Sequence, residues 1–241
     1  MRAVVCASIA AIALALAAPT SARAGTIRGT VLFEGAPPAR AKLKRDTDPV
    51  CARIDKLAED VVVTDGKLRD VHVHVKNGSV PAAPAPAEPV VVSQRECMYT
   101  PRVVGVIAGQ KLVVRNGDPT YHNVRGILGK RTLFNLSQPP AAPELVRENV
   151  GKAGEIVELH CDVHPWMVSY AYVTDHPYFA VSGEDGTFKI EGVPPGTYEV
   201  EAWHPTLGVR MAKVTVGGAE TKKKGKGKGA EEAVVSFTFG K

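Results

Sequence analysis

Residues 160–167, HCDVHPWM, place a thiolate, an imidazole and a thioether at fixed intervals, Cys161-x-x-His164-x-x-Met167. The residues before them, 155–160 (EIVELH), alternate polar and apolar and predict a half-buried strand ending at the cysteine. Residues 168–173 (VSYAYV) predict the returning strand. Pro165 fixes its own backbone and biases His164 toward an extended conformation, so the connecting loop is short and stiff. A hairpin whose turn carries three donors needs a β framework to hold it, and no other stretch restricts the fold as strongly. A soft thiolate, a ring nitrogen and a weak axial thioether are the donors of a blue-copper electron-transfer centre once one more histidine joins them. His122, in DPTYHNV just beyond the strand-like KLVVRNGD, is the candidate. Structural zinc would draw on a second Cys or His pair at ligand spacing, and the sequence has none. A nucleophilic Cys and His pair meets from distant parts of a chain, whereas these two share one turn with a methionine. A binuclear copper centre would need two cysteines in the loop.

With these residues in view, the chain resembles the cupredoxins over roughly residues 89–175, most closely the amicyanin type, whose ligand loop also reads Cys-x-x-His-Pro-x-Met and whose first ligand also sits in a His-Asn-Val run. The resemblance implies a Greek-key β-sandwich holding one type 1 copper ion, with His122, Cys161 and His164 as equatorial ligands and Met167 as the axial one. It also implies that Asn123 ties the first-ligand strand to the cysteine loop. His164, beside Pro165 and Trp166, is expected to be the ligand nearest the surface, in an apolar docking patch.

Residues 1–24 open with Arg2, run through an apolar core and end in Ala22-Arg23-Ala24, the pattern of a cleavable secretory signal, so the protein is expected to be periplasmic or secreted, without a stable membrane span. Loss of that segment removes two arginines and no acid, taking the formal charge from +5 to +3. So mild a charge gives no support for nucleic acid binding. Valine-rich short runs punctuated by Gly, Pro and Asp predict an all-β chain. Cys51 and Cys97 remain once Cys161 is assigned; in an oxidising compartment they suggest a disulfide, with two free buried thiols as the alternative.

Residues 25–78 hold two clear strands, GTIRGTVLFE and VHVHV. In the second, Val71, Val73 and Val75 are expected to face the core and His72 and His74 the solvent, although the two histidines share a face and could form a weak second metal site. Residues 79–89 (SVPAAPAPAEP) read as a semi-rigid spacer. Residues 126–150 read as a long connection without metal donors. From residue 178 the character changes: DGTFKIEGVPPGTYEV resembles the carboxypeptidase regulatory-like, transthyretin-like β-sandwich, which implies a scaffold or binding module. No zinc-protease signature such as H-E-x-x-H accompanies it. Trp203 and His204 are expected as a buried Trp and an edge His. Residues 221–230, rich in lysine and glycine, read as a solvated hairpin tip. Since 25–78 has only the opening strands of such a sandwich and 176–241 only the later ones, the expected architecture is one discontinuous sandwich with a cupredoxin domain at 90–175 inserted.

The sequence thus points to an exported copper protein, not an enzyme, that carries single electrons between periplasmic redox partners. The competing reading is a protein that stores or delivers copper, or a scaffold. An oxidase would need a further copper cluster, and none is visible in the sequence.

Overall fold

The computed structural model describes residues 24–217 and 232–240; the expected signal segment up to residue 23 and the lysine- and glycine-rich run lie outside the described residues. Among the described residues the chain forms eighteen strands and one short 3-10 turn, Cys51–Arg53, so the all-β expectation holds.

The strands form two pairs of sheets. In one pair, Gly25–Glu34 lies centrally, antiparallel to Thr187–Val193 and parallel to Glu232–Gly240, with Lys67–Leu68 on its far end. Only glycine fits at position 29, because a Cβ there would lie 1.6 Å from the carbonyl oxygen of Val235 on the parallel neighbour. The facing sheet runs Phe179–Val181, His72–Val75, Gly196–His204 and Gly208–Val216. Ile27, Val31, Leu68, Val73, Val75, Ile190, Val200 and Phe239 meet between these two sheets in one fully buried core. The turns explain the D-G and P-P-G motifs. Asp185 Oδ1 accepts from the Thr187 amide and hydroxyl, and the Tyr198 hydroxyl donates back to the Pro194 carbonyl at 2.9 Å.

In the other pair, one sheet runs Arg131–Gln138, His122–Leu128, Ile156–His160, Val168–Thr174 and Val103–Ile107, and the other Leu145–Arg147, Leu112–Asn116, Val90–Arg95 and Met98–Thr100. Val92, Tyr99, Leu112, Val114, Val157, Leu159 and Ala171 fill the space between them. Residues 126–150, read as a long connection, hold regular strands. They complete one strand and supply two more, turning at Gly129 with positive φ.

The two pairs of sheets abut through the face that carries His72 and His74, and this corrects the expectation that those residues face solvent. The alternation itself is as read: Val71, Val73 and Val75 are fully buried in the first core. The opposite face is covered by the neighbouring sheet, where the Tyr172 ring stacks on His72 with centroids 4.4 Å apart and planes 8° from parallel. Both histidines are buried, and neither His72 ring nitrogen has a hydrogen-bond partner. A side chain on Gly105 would strike Phe179 and His72, so that glycine sets the closeness of the approach. Trp203 is buried at this junction, edge-on to Tyr170 and Tyr172. His204 is buried too, not at an edge; its Nδ1 accepts from the Thr206 and Leu207 amides.

Candidate metal centre

Cys161 follows directly on the strand Ile156–His160, and His122 opens the adjacent strand His122–Leu128; the register pairs His160 with Arg125, which sets the two donors at the same end of the sheet. Two backbone hydrogen bonds close the loop after the cysteine. The Met167 amide donates to the His164 carbonyl at 2.9 Å, and the Cys161 amide to the Met167 carbonyl at 3.3 Å. This compact turn brings His164 back over the cysteine.

The donor atoms converge. His122 Nδ1 and His164 Nδ1 are 2.9 Å apart, and Cys161 Sγ lies 3.7 Å from the second and 4.0 Å from the first. Metal to nitrogen and metal to sulfur bonds of about 2.0 to 2.3 Å fit a triangle of this size. All three residues are buried, and Met167 is fully buried in the same core. Burial pushes the Cys161 thiol up, but hydrogen bonds from His122 and His164 outweigh it and hold the thiol down at about 6. A site that favours the thiolate before any ion is bound is prepared for a soft cation.

Each histidine is oriented through its other nitrogen. His122 Nε2 lies 3.0 Å from Asp118 Oδ2, and His164 Nε2 lies 3.1 Å from Asp48 Oδ2. Such carboxylate and histidine pairs fix the ring and direct the free nitrogen at the metal. Asp118 also accepts from the amides of Glu96 and Cys97, both in the left-handed region at φ 53°, so one carboxylate steadies that tight turn and orients a donor. Burial raises the His122 imidazole's preference for neutrality, yet the Asp118 carboxylate and Cys161 reverse the effect and raise its pKa. Asn123 has the tying role that the resemblance implied. Its Oδ1 accepts from the Asp162 amide at 2.7 Å and the Cys161 thiol at 3.4 Å, while its Nδ2 donates to Asn135 and Asp162.

Of the four expected ligands His164 is the nearest to the surface, ahead of Cys161 at 2 % and of the fully buried His122 and Met167, but it presents no open edge. It is only 3 % exposed, because the segment around Asp48 and Cys51 folds over it as a cap. Cys51 is joined to Cys97 by the disulfide anticipated from the sequence, and Cys51 Sγ lies 3.5 Å from His164 Nε2. Asp48 accepts from the Thr120 hydroxyl and from the Val50 and Cys51 amides. Burial works against the Asp48 carboxylate, but these hydrogen bonds prevail and hold it down at about 2. Arg45 donates to the carbonyls of Ile54 and Glu96, and its guanidinium sits 5.8 Å above the Trp166 ring, whose indole donates to the Cys97 carbonyl. Of the anticipated patch Pro165 is exposed and Trp166 is half-buried beneath the cap.

Of the four residues expected as ligands, the fold brings His122, Cys161 and His164 into one buried cluster and places Met167 in the core that also holds Cys161; Asp48 and Asp118 were not singled out from the sequence. Asp118 had a signal, standing four residues before His122 at a strand end. Asp48 had none beyond its nearness to Cys51.

The sequence profile of polysaccharide lyase family 4, domain II, matches residues 153–224. Among curated proteins none matches the chain. Solved structures similar to the chain include amicyanin from Paracoccus versutus (Thiobacillus versutus), 24% identical over 47% of this chain and 97% of that one, with a TM-score of 0.32. The copper-containing nitrite reductase NirK from Thermus scotoductus SA-01 is 14% identical over 59% of this chain and 28% of that one, with a TM-score of 0.30. Among the described residues no helix is long and apolar enough to cross a membrane.

Proposed function

We propose that this chain is an exported type 1 copper protein that carries single electrons between redox partners. The observation that carries the reading is the meeting of His122 Nδ1, His164 Nδ1 and Cys161 Sγ in one buried cluster, with each histidine's outer nitrogen held by a carboxylate. In this reading the three atoms are the equatorial donors of one copper ion, and Met167 supplies the weak axial thioether. Copper bound there provides one-electron chemistry between Cu(I) and Cu(II). The residues' own contribution is rigidity: Asp118, Asp48 and Asn123 lock the donors in place, so little rearranges when the charge changes. The two-part sandwich of residues 25–75 and 179–240 serves as a regulatory-like scaffold, a role supported by its D-G and P-P-G turn chemistry. Export is supported by the Cys51–Cys97 disulfide and by the signal-like opening of the sequence.

The cap over His164 favours a second reading, storage or delivery of copper, because a covered ligand edge retards exchange of electrons with a partner. Reconstitution of the full chain with one equivalent of Cu(II) tests both. An intense visible band with reversible one-electron voltammetry is expected; a colourless complex would overturn the type 1 assignment, and colour without reversible voltammetry would leave storage as the function.

A further inference from the structure

Resting on the electron-carrier reading, we propose that the outer face of the cap over His164, formed by Lys44, Arg53, Ile54 and Leu57, is the docking surface for an acidic one-electron redox protein. A bare imidazole edge is not available to a partner, since His164 is buried beneath the cap. The cap itself touches that imidazole: Cys51 Sγ is 3.5 Å and Asp48 Oδ2 3.1 Å from Nε2. Cys51 faces inward from the 3-10 turn Cys51–Arg53, and Arg53 and Ile54, next along the chain, face outward. One turn of backbone therefore separates solvent from the ligand ring.

The charge of this face selects the partner. Residues 40–56 carry Arg40, Lys42, Lys44, Arg45, Arg53 and Lys56 against Asp46, Asp48 and Asp55. Asp48 is committed to His164 and Asp55 to Lys42, and Lys56 pairs with Glu96. Lys44 and Arg53 are left exposed with no ion-pair partner among the described residues, opposed only by Asp46. In the same segment Ile54 and Leu57 are 44% and 45% exposed, and Lys44 and Ile54 line one shallow groove together with Lys42, Asp46 and Asp55. An apolar centre with an unpaired basic rim is complementary to an acidic surface and steers it at long range. The transfer balances simply: one electron leaves the reduced centre and enters the partner's redox group, and no bond breaks and no proton moves.

Two arms test this with the full chain. In the first, the isotope-labelled protein is titrated at low salt with hexacyanochromate(III), a paramagnetic and redox-inert anion, and amide line broadening is mapped. Broadening is expected first at residues 42–57 and should vanish in Lys44→Glu with Arg53→Glu; broadening centred on the lysines at 222–228 instead would overturn the proposal. In the second, oxidation of the copper-loaded, reduced protein by hexacyanoferrate(III) is followed by stopped flow. Each cap substitution should slow it by about tenfold, whereas Lys130→Glu, the same charge change at the far end of the strand that begins with His122, should not. Equal effects of all three substitutions, or none, would overturn the proposal. If the chain takes up no copper, the electron-carrier reading fails by itself, and the first arm still decides where anions dock.

Discussion

Asp48 Oδ2 and His164 Nε2 lie 3.1 Å apart although 116 residues separate them in the chain. This contact joins the first part of the chain to the metal-binding loop, and it fixes which nitrogen of His164 remains free. Asp48→Ala should weaken copper binding by roughly 10 to 100-fold, the usual cost of losing a carboxylate behind a ligand histidine. Competition with a chelator of known affinity measures it, and unchanged affinity would mean the cap plays no part in holding the ring.

The same carboxylate gives the cap an acid limit. Its folded pKa, about 2, is below its ordinary value of 3.8, so the unfolded chain binds more protons between those values. The stabilisation is complete above pH 4 and drains away as the pH falls toward 2, amounting to about 2 kcal/mol. Acid unfolding of the wild type and of Asp48→Asn should therefore converge near pH 2; a constant gap between the two curves would contradict the assignment.

Cys161→Ser should abolish the visible band while the protein still melts cooperatively, since sulfur to Cu(II) charge transfer gives such centres their colour. An unchanged spectrum would remove Cys161 from the site.

Met167 is fully buried, and leucine matches it closely in volume, so Met167→Leu should cost less than about 1.5 kcal/mol in stability. With the copper bound it should keep the colour and raise the reduction potential, because a thioether favours Cu(II). A lower potential would show that Met167 is not axial.

The junction between the sheet pairs predicts a second pH effect. Burial lowers His74, and likewise His204, to about 4, so the unfolded chain takes up protons first as the pH falls from 6.5. Stability is full above pH 6.5 and declines toward pH 4, by roughly 3 kcal/mol for each histidine. His72, whose two ring nitrogens are buried without partners, adds to this in the same direction. His72→Phe should flatten the decline without lowering the melting temperature at pH 7; a profile as steep as the wild type's would show that His72 does not titrate there.

What could be read from the sequence was what is local. The Cys161, His164 and Met167 donors share one turn, and the alternation of 71–75 correctly separated valines from histidines. The alternation could not say that a second sheet lies against the histidine face, because that depends on Gly105 and Tyr172, far along the chain. The hairpin within 126–150 was hidden by Lys130, Arg131 and other polar residues that obscure its strand period. The cap was hard to read for a related reason: residues 40–58 hold little regular structure, and contacts distant in sequence shape them, among them the Cys51–Cys97 disulfide and the hydrogen bonds of Arg45, Asp48 and Trp166.

Nine consecutive residue pairs join Thr26 through Glu34 to the strand Glu232–Gly240, and Arg28 reaches Glu232 across 204 positions of sequence. That pairing has a kinetic meaning. A strand whose partners lie so far along the chain keeps its backbone edges open until they are made, exposed to wrong neighbours. High contact order of this kind makes folding slow and late, since the long loop must close before the ladder returns any free energy. Completion of that sheet therefore waits on two strands that come late in the sequence, Thr187–Val193 and then Glu232–Gly240.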